Sequence, residues 1–344
     1  MRLDGPESVS LAEEAESPLG ANGVRLRTLF SGISAGTEMT QYRGTSAHFS
    51  KTWNPDSRLF GPGRPTLEYP TVVGYEEVGE VVEVGGAVTA VRPGQVIWGV
   101  WGHRSTTVVE ESYAADRVLD PRADPLIGIF SHIGSVALNV ILDADIHVGE
   151  TVAVFGLGVL GQIVAQLAKR NGARVIAIDA IPHRLELARR LGADETLDAR
   201  EGQVAEHVRA LTGGRGADVA LEVTGNHQAL HEAVRTVAYC ARVVASGFYQ
   251  GEASGLFLGE EFHHNRVHIV ASQIGATPLS LGPRWTQARL VSVFMGQLAA
   301  GAVDVTPLIS HVIDANDAAS AFRLLAETPA DALQVVLRFS DAPD

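Results

Sequence analysis

A single cysteine in 344 residues, Cys240, leaves no partner for an intramolecular disulfide and excludes a multi-cysteine zinc site. Basic residues are also scarce. Lys and Arg number 27 against 40 Asp and Glu, a net charge of -13, so the concentrated basic footprint of a nucleic-acid surface is missing. No apolar run approaches the roughly 20 residues that a membrane helix needs. The opening "MRLDGPESVSLAEEAESPLG" is acidic and has no signal-peptide core. Internal repeats and low-complexity tracts are lacking too. These absences lead to the expectation of a reducing, cytoplasmic protein with neither nucleic acid nor membrane as partner. What is present, 46% hydrophobic and 19% charged residues, suits a soluble chain with room for two domains.

The texture changes along the chain. Up to about residue 125, glycine and proline punctuate short Val/Ile/Thr-rich runs such as "VRLRTLF", "EVGEVVEV" and "GQVIWGVW", the pattern of short strands and tight turns. Residues 45–70, polar, aromatic and proline-bearing, read as a long surface loop that caps a pocket with His48, Lys51, Trp53 and Arg58. From about residue 135, apolar strands such as "TVAVFG", "RVIAIDA" and "ADVALEVTG" alternate with amphipathic helices. Alternation of that kind implies βαβ units and a parallel sheet, hence an α/β fold. Two further helices, "TQARLVSVFMGQLAAG" and "DAASAFRLLAET", and the strand "ALQVVLRF" are expected to complete the first domain.

Residues 151–180, "TVAVFGLGVLGQIVAQLAKRNGARVIAIDA", carry G-x-G-x-x-G at Gly156, Gly158 and Gly161. The motif follows an apolar strand, opens a helix and precedes a strand ending in Asp179, the full context of a Rossmann dinucleotide fingerprint. Gly156 permits the tight turn, Gly158 lets the backbone approach a pyrophosphate, and Gly161 allows close helix–strand packing. The N–H groups of Val159 and Leu160 face the phosphates at the positive helix end. Asp179 accepts from the adenosine ribose hydroxyls and repels a 2'-phosphate, which favours NAD(H). Arg184 stands ready to touch the same ribose, or a phosphate on it. By contrast His263, His264 and His268 precede a strand, away from the carboxyl ends where ligands of such sheets sit.

With "FSGISAGTEMTQYRG", "GYEEVGEVVEVG" and "VAVFGLGVLG", essentially the whole chain resembles the medium-chain dehydrogenase/reductase superfamily, the zinc alcohol dehydrogenase-like group. Within it the chain is similar to a branch with altered metal signatures that includes bacteriochlorophyllide dehydrogenase-like proteins. The resemblance implies a GroES-like β-rich catalytic domain (1–138 and 277–344) and a doubly wound parallel-sheet domain (139–276). It also implies a homodimer joined through the strand "VHIVASQIG". At the family's zinc-ligand positions stand Ser34, Tyr75 and His132, and Met39 replaces its relay histidine. The structural zinc lobe is absent. Ser, Tyr and one His are a poor zinc set, so no metal ligand is expected, although Glu76, His132 and His103 are the alternative. Val223 and Thr224 match positions on the adenosine side. Ser246, Phe248, Ser272 and Ile274 match positions that hold the nicotinamide carboxamide.

A dehydrogenase without zinc needs another group to move the hydroxyl proton. His132 is the first candidate and Tyr75 the second, with Glu76 polarising either one and His103 facing the same cleft. The structural alternatives are that Tyr75 fills the vacated metal volume and that His132 and His103 are hydrogen-bonded core residues. Trp53, Trp98 and Trp101 would suit the faces of a sugar ring. The expected function is interconversion of a secondary alcohol and a ketone on a polar, sugar- or polyol-like small molecule. The alternatives are a redox-neutral epimerase or eliminase with tightly held NAD, a non-zinc enoyl or quinone reductase, and a non-catalytic dinucleotide-binding protein.

Overall fold

The computed structural model describes residues 1–339. The chain folds into two units, residues 1–132 with 309–344, and residues 133–308. In the first unit the strand Gly23–Ile33 is the pivot of a largely antiparallel sheet. It pairs with Glu77–Val84 on one edge. On the other edge its first half meets Thr106–Glu110 and its last residues meet Gln334–Arg338. The register places Ser31 opposite Glu77, and Glu77 in turn opposite Gly99. Val24, Leu26, Val81 and Ile97 form one apolar cluster of this unit. Ile33, Met39, Tyr42, Phe322 and Val335 belong to another, so Met39 is a core residue.

The second unit is a six-stranded parallel sheet in the order Glu195–Asp198, Arg174–Asp179, Thr151–Phe155, Ala217–Glu222, Val237–Ala245, His268–Ala271. Its central strands are buried along their length, as strands covered on both faces must be. Phe155, Glu222, Ala245 and Ala271 lie in register, with Asp179 beside Asp198, so the carboxyl ends form one edge.

Several expectations are corrected here. Residues 277–308, expected with the first domain, lie in the second unit. There the ring of Phe294 occupies the space beside Gly134, and Gln166 exchanges two hydrogen bonds with the backbone of Asp304. Residues 45–70 are not a plain loop. They hold a small hairpin, Thr52–Asn54 with Leu59–Gly61, whose turn is closed by Asn54 Oδ1 accepting from the N–H groups of Asp56 and Ser57. Trp98 and Trp101 are core residues rather than sugar platforms, at 7% and 9% exposure. Finally, Pro125–Ala144 is a continuous 20-residue helical stretch, long and apolar enough to cross a membrane. It reads instead as a core helix, because 61% of it is buried, Phe130 and Val140 completely so.

Candidate active site

The dinucleotide motif has the geometry its glycines suggest. Gly156 adopts φ +93, and a Cβ there would lie 2.5 Å from the methyl of Thr224. A Cβ on Gly161 would lie 1.8 Å from the Gly156 carbonyl, so helix and strand touch there. One on Gly158 would meet nothing within 4 Å, leaving the approach to the backbone open. Gly158 caps the helix Val159–Arg170, whose first N–H groups, those of Val159 and Leu160 among them, have no acceptor within the helix. Asp179 turns one oxygen to the Leu157 N–H (2.6 Å) and the other to the Ile181 N–H (2.9 Å). Its carboxylate therefore stands beside the glycine turn. Burial pulls the Arg184 guanidinium down from its ordinary value, and the charge of Asp179 acts in the opposite sense.

Next along the edge, Val223 lies against Gly161 and Thr224 against Gly156. The Val223 N–H donates to the Phe155 carbonyl at 3.1 Å, and Thr224 is held by Glu222, a fully buried residue that the sequence reading missed. Its carboxylate accepts from the Thr224 N–H and hydroxyl, the Gly225 N–H and the Tyr249 hydroxyl. Burial raises the Glu222 carboxyl despite these donors. Ser246 follows the next strand, with its N–H on the Glu222 carbonyl and its Oγ buried without a hydrogen-bond partner. That orphaned hydroxyl fits an amide ligand. Phe248 is exposed, and the Ile274 carbonyl accepts from Gln287. The Ser272 hydroxyl accepts from the Asn139 amide at 3.3 Å, and the Ser272 N–H donates to the Ala245 carbonyl at 2.9 Å.

In the first unit the structure brings Ser34, Tyr75 and His132 together. The Tyr75 hydroxyl donates to Ser34 Oγ at 2.5 Å, and the His132 ring meets the Tyr75 ring edge-on at 4.9 Å. Burial, with the charges of Glu76 and Glu38, holds the phenol well above its usual value, so it remains a donor. Burial lowers His132, which favours the neutral imidazole. Glu76, 1% exposed, accepts from Gln334 Nε2 at 3.2 Å. Burial first, then Glu38 and Glu77, push its carboxyl well above the usual range.

His103 does not join this group directly. It is 1% exposed, and both ring nitrogens are committed, Nε2 to Glu38 at 2.7 Å and Nδ1 to Ser31 at 2.6 Å. That leaves no ring nitrogen for a substrate. Glu38 and Glu77 are both buried; the sequence reading missed Glu38 and gave Glu77 no site role. The signal available was the acid two residues beyond Gly36 and the doubled acid after Tyr75.

A hydroxyl, a protonated phenol and one imidazole do not make the thiolate, imidazole and carboxylate set that zinc takes. Among the described residues, three His, Cys, Asp or Glu side chains converge within 4.8 Å only at His231, Glu260 and Glu261, in the other unit.

A Rossmann sheet with its glycine fingerprint in one unit and a β-rich sheet in the other define the class. The chain belongs to the medium-chain dehydrogenase/reductase superfamily, in its zinc alcohol dehydrogenase-like group, and is an oxidoreductase of the dehydrogenase type. A family model described as zinc-binding dehydrogenase matches residues 159–288. The chain is 32% identical over 345 residues to D-guloside 3-dehydrogenase of Escherichia coli (strain K12), covering 97% of this chain and 98% of that protein. It is 28% identical to L-threonine 3-dehydrogenase of Rhizobium johnstonii, with 89% of each chain covered. The structure of galactitol-1-phosphate dehydrogenase from Escherichia coli has the same fold, with a TM-score of 0.77 at 20% identity over 98% of this chain and all of that one.

Proposed function

We propose that the protein is an NAD(H)-dependent, metal-free dehydrogenase that interconverts a secondary alcohol and a ketone on a sugar-like small molecule. The observation that carries this reading is the Tyr75–Ser34 hydrogen bond across the ring of His132, an organic acid/base group at positions where the family's zinc enzymes hold metal. The similarity to D-guloside 3-dehydrogenase supports a glycoside or polyol as substrate.

In this reading the second unit holds the dinucleotide. Asp179 accepts from ribose hydroxyls, the N–H groups of Val159 and Leu160 bind pyrophosphate, and Ser246 meets the carboxamide. Bound nicotinamide supplies hydride acceptance in the oxidation direction and donation in the reverse. His132 is neutral and takes the hydroxyl proton as the carbinol C–H bond gives up its hydride. Tyr75 stays protonated, and its single O–H, held by Ser34 Oγ without substrate, turns to the oxygen that becomes the carbonyl when substrate binds. Glu76 and the buried acids behind it shape the field around that phenol. Among the described residues the edge strand His268–Ala271 has no neighbouring strand on its outer side, and a second copy is proposed to cover it as a homodimer.

The test is turnover of methyl glycosides, methyl D-guloside among them, and free polyols with NAD or NADP, before and after chelation. Expected are oxidation with NAD, unchanged by chelator, and well under one zinc per chain by elemental analysis. Stoichiometric zinc with chelator-sensitive turnover would overturn the metal-free reading. Turnover that needs no added dinucleotide and releases no reduced cofactor would favour the redox-neutral alternative.

A further inference from the structure

Behind Tyr75, in the first unit, three contacts run in series through a region with almost no solvent exposure. Glu38 Oε2 meets His103 Nε2 at 2.7 Å, His103 Nδ1 meets Ser31 Oγ at 2.6 Å, and Ser31 Oγ meets Glu77 Oε1 at 3.1 Å. The outer oxygens are occupied as well. Glu38 Oε1 accepts from the Ser34 N–H at 3.0 Å, and Glu77 Oε2 from the Trp101 N–H at 2.7 Å. The elements that bring these groups together are the strand Gly23–Ile33, the helix Thr37–Tyr42 and the strand Glu77–Val84.

Three hydrogen bonds need three hydrogens. Ser31 has one, a neutral imidazole has one, and ionised carboxylates have none. Without a third, one contact would set two lone pairs against each other in a buried site, at the cost of an unsatisfied polar group. The extra proton belongs on the imidazole or on one of the two carboxyls. In either place, Glu38, His103 and Glu77 together carry one negative charge. The other titratable groups that act with these acids are Glu76 and Tyr75, and the Met1 ammonium donates to the His103 carbonyl at 2.9 Å.

The chain reaches the site through Ser34. Glu38 fixes the Ser34 backbone, and Ser34 Oγ receives the Tyr75 hydroxyl. We propose that Glu38, His103, Ser31 and Glu77 are positioning residues for Tyr75, and that they work by holding one shared proton between two buried carboxylates. This rests on the role given to Tyr75 above. It assigns His103 to support of the phenol rather than to contact with substrate.

The substitutions discriminate sharply. Glu38→Gln can still accept from the Ser34 N–H, and its amide N–H supplies the third hydrogen to His103 Nε2. Glu38→Ala does neither. The experiment is NMR of the full chain with NADH bound, labelled in histidine, glutamate and tyrosine. In the unmodified protein either His103 carries protons on both nitrogens, or one of Glu38 and Glu77 is protonated. The Tyr75 hydroxyl proton should exchange about tenfold faster in Glu38→Ala, the scale of losing a hydrogen bond to a charged group, and Glu38→Gln should restore it. A His103 with one N–H between two ionised carboxylates would overturn the proposal, as would Tyr75 exchange that is the same in all three proteins. If Glu38→Ala does not fold, the proton count in the unmodified protein and the comparison with Glu38→Gln still decide. Tyr75→Phe with undiminished turnover would instead sink the catalytic reading while leaving the shared proton in place.

Discussion

Glu76→Gln should raise stability increasingly as pH rises. Glu76 is 1% exposed, and Gln334 Nε2 donates to it at 3.2 Å. Burial is the largest influence on its carboxyl, and the charges of Glu38 and Glu77 add to it in the same direction, well above the usual range. A folded-state value above the unfolded one, about 4.3, favours the native state below that pH. The contribution is lost as pH rises toward the folded value, because the unfolded chain releases its proton first. Within that window the slope is about 1.4 kcal/mol per pH unit. Glutamine has nearly the same shape, keeps an oxygen for Gln334 and does not titrate. The variant's advantage over the unmodified protein should therefore widen by about 3 kcal/mol over two pH units inside the window. Urea unfolding at several pH values, followed by tryptophan fluorescence, measures it. The signal reports mostly on the right unit, since Trp53, Trp98 and Trp101, three of the four tryptophans, lie there. A difference that does not change with pH, or one that shrinks as pH rises, would refute the reasoning.

His132→Ala should lower turnover by about 10²–10⁴ with NADH affinity nearly unchanged, and Tyr75→Phe should lose less. If the two act as one unit, the double variant falls well short of the product of the single losses, as steady-state rates would show. Because burial lowers His132, alcohol oxidation should hold its plateau to lower pH than an ordinary histidine near 6.5 allows, and decline once the imidazole is protonated. A pH–rate profile with its acid limb above that value would count against His132 as the base. Asp179→Gly should weaken NADH and relax discrimination against NADPH in a binding titration. Tighter NADPH than NADH binding by the unmodified protein would remove the basis for the NAD preference. Light scattering at micromolar concentration should give the mass of two chains, and a monomer would contradict the role given to the strand His268–Ala271.

The parts of this molecule that could be read from the sequence are those whose meaning is local. Gly156, Gly158, Gly161 and Asp179 fall within one strand–helix–strand unit, although Gly156 and Gly161 also meet Thr224 and Val223 from a distant part of the chain. Glu222 escaped notice because its role depends on Thr224 from its own turn together with Tyr249 from the loop after the next strand. The roles of Glu38 and Glu77 escaped for the same reason. Nothing near "GTE" or "GYEE" announces His103, which reaches them only because the sheet sets Ser31 opposite Glu77. Trp98 and Trp101 were misread as sugar platforms because side-chain type says little about which face of a strand it occupies. Residues 277–308 were misplaced because chain order alone does not tell that Phe294 fills the space left by Gly134.

The two expectations about Tyr75, catalytic donor and filler of a vacated metal position, are compatible once charge is considered. A zinc ion would bring two positive charges to a wall that here contains Glu38, Glu76 and Glu77, all essentially without solvent. Removing such an ion from a site of this kind leaves acids whose ionised forms are costly to bury. The structure meets that cost with protons and neutral donors: a phenol kept protonated, a Glu76 carboxyl driven toward its neutral form and capped by an amide, and an imidazole bonded to one carboxylate and, through Ser31, to a second. Among these groups Glu38 also holds the Ser34 backbone, and Ser34 Oγ accepts from the Tyr75 hydroxyl. On the reading proposed here, the substitution of Tyr75 at a ligand position and the accumulation of buried carboxylates behind it are a single adaptation. Proton donation from Tyr75 should then depend on acids with no path to the substrate of their own.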